Sequence, residues 1–369
     1  MSDRKVPFFE YPRLWLDNRK LFLSVIDETA SSGGFIMHHA VNEFESELSD
    51  YVGSQYSLGV GNATDAMEIF LQAIGLQPED EIIISSHTML ATASAIISAG
   101  GKPVPVDIGE DNLIDPDAVA DAINSKTVGI MPTQLNGRTC RMDELEKIAN
   151  QNGLFIVEDA AQALGSMFKG KSAGTFGLAS CISFYPAKVL GSLGDAGAIL
   201  TSDSDIYNKS YQIRDHGRDQ EGEIRCWGRN SRLDNIQAAI LKSTLPDYPS
   251  IIERRRSIAS QYHEQLHDLD ELRLPPPPSD GDHFDVYQNY ELVASSRDEL
   301  KEYLSSKGIG TLIQWGGDAI HHFKQLGFDQ NLRKTDQFFE GCIMLPMNFF
   351  ITDDDVNYIS KCVRSFYRS

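Results

Sequence analysis

The stretch SCISFYPAKVLGSLGDAGAILTS, residues 180–202, decides the fold of this chain. A short strand is predicted over Ser180–Phe184 and a second strand over Ala198–Thr201. Three glycines within the stretch are too many for a helix, so Lys188 lies in a turn. A lysine confined in this way can be partly desolvated, which lowers the pKa of its ammonium group and frees the amine as a nucleophile. Taken alone, the pattern also fits an ordinary surface lysine.

Before this stretch, strand-like and helical segments alternate along the chain. Short apolar runs predict the strands, and apolar residues three and four positions apart predict the helices. The predicted strands are Ser57–Val60, Glu81–Ser85, Lys102–Asp107, Thr127–Pro132 and Leu154–Glu158, and the predicted helices are residues 40–51, Asp65–Ile74, Ala91–Ala99, Asp115–Ile123 and Met142–Gln151. This alternation predicts an α/β fold with a mostly parallel sheet flanked by helices on both faces.

The length of the chain predicts more than one domain. Its 369 residues exceed the size at which a single hydrophobic core usually stops growing. The proline run Pro275–Pro278 predicts a stiff connection. Beyond it, a strand is predicted over Tyr287–Ala294, and helices are predicted over Ser296–Lys307 and Asp353–Phe366. We therefore predict a large domain over residues 1–245, which includes the N-terminal segment, and a smaller α+β domain over residues 246–369.

Composition excludes several classes of function. A net charge of −20 opposes nucleic-acid binding and polybasic attachment to a membrane. The sequence has no run of about 18 apolar residues, the length that a membrane-spanning helix needs, and its N-terminus, MSDRKVPFFEYPRLW, lacks the apolar core of a signal peptide. We therefore expect a cytoplasmic protein. The five cysteines are scattered without a CxxC pair, so we expect free thiols and no bound metal.

Two further segments place polar residues where a parallel sheet binds ligands. In VGNATDA, residues 60–66, a strand ends and a helix begins; the free N–H groups of a helix start attract a phosphate, and Thr64 adds a hydroxyl donor. In LFIVEDAAQALG, residues 154–165, an apolar run leads into Glu158-Asp159. A carboxylate at the end of a buried strand can hold a cation, a metal or a protonated ring nitrogen. Each signal alone also fits a helix cap.

The three segments together carry more weight than any one of them. A phosphate cradle, a strand-end aspartate and a turn lysine are the parts needed to bind pyridoxal 5′-phosphate (PLP). The cradle would hold the phosphate, and Asp159 would keep the pyridine nitrogen protonated. Lys188 would bind the aldehyde and then carry a proton between the substrate carbon and the cofactor.

Nearly the whole chain, from about Pro7 to Phe366, resembles the DegT/DnrJ/EryC1/StrS sugar aminotransferases. The segments that carry the resemblance are VGNATDAMEIFLQAIGLQPEDEII, AGGKPVPVDI, VEDAAQALGSMFKGKSAGTFG, SFYPAKVLGSLGDAGAI and RNSRLDNIQAAIL. They occur in the order and spacing of that family. The resemblance implies the fold of PLP-dependent transferases of fold type I, the aspartate-aminotransferase fold.

The resemblance also implies roles for individual positions. Lys188 lies where the family has its Schiff-base lysine, and Asp159 where it has the acid that pairs with the pyridine nitrogen. Gln162 matches a side chain packed near the ring oxygen of the cofactor. The family's phosphate contacts match Ala63, Thr64 and Ser183. Asn230, in RNSRLD, matches an asparagine that reaches the phosphate from the neighbouring subunit, so a homodimer with shared active sites is implied.

Three segments depart from the family pattern. Met89, in SSHTMLAT, stands where the family usually has an aromatic residue stacked on the pyridine ring. Its thioether could lie against that ring, or His87 could contribute instead. FIMHHAV replaces a Gly-Pro pair near residue 36, and IQWGGDAIHHF, residues 313–323, replaces a substrate loop that contains Tyr-Pro. The candidate substrate residues in these segments are His38, His39, Trp315, His321 and His322, and for each histidine a structural role is equally open.

The function implied by the resemblance is transamination, with L-glutamate as donor and a keto-sugar as acceptor, for surface polysaccharide or lipopolysaccharide biosynthesis. The pattern FYPxKxLGxxGDAG is most similar to members that act at C-3 of a sugar nucleotide, because the C-4 group often has Glu where Asp195 stands. An oxidised sugar acid without a nucleotide, such as 8-oxo-3-deoxy-octulosonate, is the alternative substrate. PLP-dependent sugar dehydration is disfavoured because such relatives replace the lysine with histidine. A PLP-sensing regulator is disfavoured as well, because such a protein would carry an added DNA-binding domain, whereas here the resemblance extends over nearly the whole chain.

Overall fold

A seven-stranded sheet forms the centre of the larger part of the protein, and all seven of its strands were predicted to within one residue at each end. The structure is a computed structural model that describes residues 4–368. The strands are β1 (Tyr56–Val60), β2 (Glu81–Ser85), β3 (Lys102–Val106), β4 (Thr127–Met131), β5 (Phe155–Asp159), β6 (Met167–Phe168), β7 (Lys171–Ser172), β8 (Ala179–Ser183), β9 (Gly197–Thr201), β10 (Leu272–Arg273), β11 (His283–Phe284), β12 (Tyr290–Ala294) and β13 (Cys342–Leu345). The helices are α1 (Tyr11–Ser31), α2 (His39–Val52), α3 (Ala63–Ile74), α4 (Leu90–Ser98), α5 (Pro116–Ala122), α6 (Met142–Asn152), α7 (Ser204–Arg214), α8 (Asn235–Thr244), α9 (Tyr248–Leu266), α10 (Arg297–Ser306), α11 (Arg333–Gly341) and α12 (Asp353–Tyr367).

The order of the strands brings five strand ends to one edge of the sheet. The order is β1-β9-β8-β5-β4-β2-β3, and the pairs β2–β3, β2–β4, β4–β5 and β5–β8 are parallel. β9 is antiparallel to both of its neighbours. The carboxyl ends of β2, β3, β4, β5 and β8 therefore lie side by side, where open α/β sheets bind their ligands. The predicted α/β fold with a mostly parallel sheet is confirmed.

Helix α3 shows how the local sequence sets up this edge. The side chain of Asn62 caps its start by accepting the N–H of Asp65 at 2.8 Å, and Gly75 ends it in a left-handed conformation with φ +92°. Met67 and Phe70 are fully buried against the sheet. Each such side chain stabilises the fold by roughly 1.5–3 kcal/mol, so packing holds the helix start firmly against the strand ends.

A second, smaller sheet lies in the C-terminal part of the chain. It has the order β10-β12-β13, and α9, α10 and α12 cover a separate buried apolar cluster. Val6 pairs with Ile309 and belongs to this cluster, so the N-terminal segment crosses over to the smaller sheet. The domain division at residue 246 stays a prediction, and its outermost residues, 1–3 and 369, lie outside the described residues.

One predicted strand begins later than expected. Tyr287 has φ +51°, a left-handed conformation that cannot continue a strand, so β12 starts at Tyr290. Within residues 4–368, no helix is both long and apolar enough to span a lipid bilayer.

Candidate active site

A cavity of about 630 Å³ opens at the carboxyl edge of the large sheet. It lies between the start of α3, the end of β5, the start of α4 and the turn after β8. The residues predicted from the sequence that line it are Ala63, Thr64, Met89, Asp159, Gln162, Ser183, Lys188 and Trp315. The structure therefore brings together three segments that are widely separated in the sequence.

One end of the cavity is suited to an anion. Ala63 and Thr64 are the first residues of α3 after its cap at Asn62, and both line the cavity. Their N–H groups have no partner within the helix, as at any helix start. Gly197 allows this close approach, since a methyl group there would lie 2.6 Å from the carbonyl carbon of Asn62. The hydroxyl of Ser183 accepts a backbone N–H at 3.3 Å and keeps its own proton free to donate.

Asp159 lies at the end of β5 and is almost fully buried. Its Oδ2 accepts the hydroxyl of Thr92 at 2.7 Å, and its Oδ1 accepts the N–H of Ala161 at 3.1 Å. The thiol of Cys181 lies 3.5 Å from Oδ1, and burial together with the Asp159 charge raises the pKa of that thiol, which keeps it a donor. These three contacts hold the carboxylate in one orientation.

Lys188 sits in the turn after β8, and a buried side chain holds that turn in place. Gln288 donates from Nε2 to the carbonyl of Ala187 at 3.0 Å and accepts the N–H of Val189 at 3.1 Å. Burial lowers the pKa of the Lys188 ammonium, while the nearby Asp159 charge opposes that shift. Burial has the larger effect, so the pKa of Lys188 lies below its ordinary value, which increases the fraction of nucleophilic amine.

A backbone N–H group from another segment orients the side chain of Gln162. Its Oε1 accepts the N–H of Asn136 at 3.0 Å, so its amide N–H groups remain available to a ligand in the cavity. Asn136 itself adopts a left-handed conformation with φ +56° and donates to the buried carboxylate of Glu291 at 2.6 Å. This support was not predicted from the sequence.

The structure separates the two candidates for the face of the cofactor ring. Met89 lines the cavity and remains half exposed. His87 is not among the described residues that line the cavity. It is fully buried, with Nδ1 2.9 Å from the carbonyl oxygen of Asn112 and its ring packed against Phe338 and Trp315. The suggestion that His87 contributes to ring contact is therefore not supported by its position.

Among the described residues, only one of the candidate substrate residues lines the cavity. Trp315 lines the cavity, whereas His38 is exposed at the start of α2, with its Nδ1 2.6 Å from Nδ1 of His39. His321 is buried between the hydroxyl of Ser86 at 2.7 Å and the carboxylate of Asp336 at 2.9 Å. Neither His38 nor His321 belongs to the cavity wall of the described chain.

His322 completes a hydrogen-bonded group with His321. Its Nε2 also lies 2.9 Å from Oδ1 of Asp336, an arrangement of metal-ligand type. However, Nδ1 of His322 accepts the backbone N–H of Ala319 at 3.1 Å. The neutral imidazole therefore carries its proton on Nε2 and donates it to Asp336, so hydrogen bonds alone account for the contact.

Asn230 lies outside this cavity on its own chain. It is exposed, pairs with Asp215 as an isolated bridge and follows a loop in which Trp227 is 99% exposed. Asn230 therefore makes no part of the cavity wall in the described chain.

Fold and cavity together define the class of protein. Backbone N–H groups at the start of α3, a buried carboxylate and a desolvated lysine meet in one cavity at the carboxyl edge of the sheet, and these groups fit the phosphate, ring nitrogen and aldehyde of PLP. The model of the DegT/DnrJ/EryC1/StrS aminotransferase family matches residues 17–364. The chain belongs to this family of PLP-dependent aminotransferases.

Known relatives cover most of the chain. It is 35% identical over 369 residues to a pleiotropic regulatory protein of Geobacillus stearothermophilus, covering 98% of this chain and 99% of the relative. It is 34% identical over 312 residues to dTDP-3-amino-3,4,6-trideoxy-alpha-D-glucose transaminase of Streptomyces venezuelae, covering 84% and 82%. The crystal structure of S. venezuelae DesV in complex with a ketimine intermediate superposes with a TM-score of 0.95 at 31% identity, over 99% of both chains.

Proposed function

We propose that this aminotransferase moves an amino group from L-glutamate to the C-3 keto group of a nucleotide-linked sugar. The observation that carries the proposal is the meeting of Lys188 and Asp159 in the wall of one cavity, with the start of α3 beside them. A lysine, a strand-end carboxylate and an anion site are what a PLP-dependent transamination requires.

Each residue of the cavity has a defined task in this proposal. PLP, when bound, supplies an electron sink for the carbon that loses a proton. Asp159 would hold the ring nitrogen protonated, and the amine of Lys188 would bind the aldehyde carbon and carry the proton at the substrate carbon. Met89 would contact the ring, and Gln162 would donate to its oxygen. The residues that would hold the phosphate are Ala63, Thr64, Ser183 and, from a second copy of the chain, Asn230.

The substrate assignment rests on two supports. One is the Streptomyces venezuelae relative, whose name specifies a 3-amino sugar carried by dTDP. The other is Asp195, which lines the cavity at the position where the C-4 group often has Glu. These supports favour a sugar nucleotide over the oxidised sugar acid, and Lys188 disfavours dehydration. The product would feed polysaccharide or lipopolysaccharide biosynthesis.

A direct test uses purified protein loaded with PLP. We expect L-glutamate to remove the visible absorption of the bound cofactor, and a 3-keto sugar nucleotide to restore it. Lys188→Ala should abolish both changes, whereas the control Lys301→Ala, at an exposed helical position, should keep them. If an oxidised sugar acid restored the absorption and no keto-sugar nucleotide did, the substrate assignment would be wrong.

We further propose a homodimer with shared active sites, based on one exposed apolar surface. Phe35 and Ile36 are about half exposed and are tied by backbone contacts to the start of α8, and Leu193 is held by Gln237 of the same helix. Asn230 lies a few residues before α8 on the same segment. Exposed apolar patches of this kind mark protein interfaces, and a second copy of the chain would cover this one.

Mixed dimers distinguish a shared site from a self-contained one. If each site combines Lys188 of one chain with Asn230 of the other, a Lys188→Ala chain paired with an Asn230→Ala chain contains one intact site. Unfolding and refolding the two inactive variants together should then restore activity toward one quarter of the wild-type value, the fraction of intact sites under random pairing. No restoration, with dimers present, would show that Asn230 does not act across the interface.

We also place the reaction in the cytoplasm. All five cysteines lie within the described residues and are free, which fits a reducing compartment. Fractionation of cells expressing the protein would test this placement, and recovery outside the cytoplasmic fraction would contradict it.

A further inference from the structure

Three buried threonines form a hydrogen-bonded chain that ends on Asp159. Oγ1 of Thr133 lies 2.8 Å from Oγ1 of Thr88, which lies 2.7 Å from Oγ1 of Thr92. Thr92 in turn lies 2.7 Å from Oδ2 of Asp159. All four side chains are at most 4% exposed, so water does not compete for these contacts. They come from the end of β4, the start of α4 and the end of β5.

The direction of every hydrogen bond in this chain is fixed. An ionised carboxylate only accepts, so Thr92 gives its single hydroxyl proton to Asp159. Thr92 can then only accept from Thr88, and Thr88 in turn can only accept from Thr133. If Asp159 were protonated at Oδ2, the order would reverse, and the Thr133 hydroxyl would have no acceptor among the described residues. The chain therefore satisfies every proton only when Asp159 is charged.

We propose that Thr92, Thr88 and Thr133 are positioning residues that keep Asp159 ionised and aimed at the ring nitrogen of PLP. This inference rests on the proposed role of Asp159. Three hydroxyl dipoles point the same way, and each bond polarises the next. Hydrogen bonds donated to a carboxylate favour its charged form. With the N–H of Ala161 on Oδ1, they fix the plane of the carboxylate and leave a lone pair for the ligand.

Other ionisable groups that face Asp159 are Cys181 from β8 and Lys188 from the following turn. The thiol of Cys181 is a weak donor. The amine of Lys188 would be covalently bonded to the cofactor and so would not act as a free donor to Asp159. The threonine chain is therefore the strong, permanent source of donors to Oδ2.

Isosteric variants isolate the hydroxyl groups. Thr92→Val removes the donor and keeps the shape, and Thr92→Ser restores it. Thr88→Val cuts the chain one step further away. Thr139→Val is the matched control, because Thr139 is fully buried and its hydroxyl bonds only to Ser166, at 2.7 Å, among the contacts described. Two quantities are measured. One is the dissociation constant for PLP, and the other is the midpoint pH of the change in visible absorption of the bound cofactor.

The expected effects decrease along the chain. Thr92→Val should weaken PLP binding on the order of tenfold, the value of a hydrogen bond to a charged group, and move the absorption midpoint upward. Thr88→Val should weaken binding about two- to threefold, and Thr92→Ser and Thr139→Val should stay close to wild type. Adding Thr88→Val to Thr92→Val should change little, because the chain is already cut.

Additive effects of the two substitutions would overturn the proposal, as would normal PLP binding and absorption in Thr92→Val. Failure of Thr92→Ser to recover the wild-type values would also overturn it. These outcomes are separable from failure of the proposed function, because a wild-type protein that does not bind PLP, or an Asp159→Asn variant that behaves like wild type, would remove the function itself.

Discussion

Replacing Gly197 with Ala perturbs the phosphate end of the cavity without touching a proposed catalytic group. A methyl group at this position would lie 2.6 Å from the carbonyl carbon of Asn62 and 2.7 Å from the backbone nitrogen of Ala63. Non-bonded heavy atoms pack at about 3.5 Å, so the two backbones must separate by about 0.8–0.9 Å. β9 is paired with β1 on one side and β8 on the other at this residue. The start of α3 must therefore move.

Such a movement has a predictable effect on cofactor binding. A displacement of this size takes the helix-start N–H groups outside the usual range of about 2.7–3.2 Å for hydrogen bonds to the phosphate. Losing one such charge-assisted bond costs about 1.5–3 kcal/mol, or roughly 10- to 150-fold in the dissociation constant for PLP. Overpacking should also lower the free energy of unfolding by about 1–3 kcal/mol.

A titration of cofactor-free protein with PLP, followed by absorbance, measures the first effect, and urea unfolding measures the second. Gly194→Ala is the control, because its methyl group would meet only the flexible end of Gln237 at 3.1 Å. PLP binding by Gly197→Ala within twofold of wild type would refute the assignment of the start of α3 as the phosphate site.

Three further substitutions test the remaining parts of the site. Asp159→Asn keeps the shape but removes the charge, so kcat should fall about 10²-fold; an unchanged kcat would exclude its role at the ring nitrogen. Gln288→Leu leaves the carbonyl of Ala187 and the N–H of Val189 without partners, so the free energy of unfolding should fall by about 2 kcal/mol, and unaltered urea unfolding would contradict this clamp. Burial lowers the pKa of Lys188 in the folded protein, so its protonated form opposes folding at neutral pH, and this penalty disappears as the pH rises toward the unfolded value of about 10.4. Cofactor-free wild type should therefore gain stability relative to Lys188→Met over that range, and a pH-independent difference in Tm would show that Lys188 is not desolvated.

The sequence was most informative where the chain is most regular. β2, Glu81–Ser85, has the predicted bounds because four consecutive apolar or small residues are buried on both faces of a parallel sheet. Helix α3 was predicted from Asp65, two residues late, because its cap at Asn62 lies within the ligand-binding turn. Helices α1, α7 to α9 and α11 were not predicted. α1 leaves Leu16 and Leu23 exposed, which obscures the one-sided apolar pattern that identifies a surface helix.

Cavity residues could be predicted from the sequence when a chemically suitable residue type lies at or after the end of a predicted strand. Asp159 and Lys188 follow buried strands, and parallel strands bring such ends together. Gln288 and Thr133 could not be found in this way, because buried glutamine and threonine have no spacing that distinguishes a supporting role from ordinary packing. His321 was a candidate because of its residue type alone, and its contacts with Ser86 and Asp336, which are distant in sequence or on another segment, explain its burial.

The central claim is a covalent bond between Lys188 and the aldehyde carbon of PLP. Reduction of the PLP-loaded protein with borohydride, followed by proteolysis and mass spectrometry, locates that bond. We predict a pyridoxyl-phosphate group on the peptide that contains Lys188. The same group on a different lysine, or no modified peptide in protein shown to contain PLP, would contradict the account.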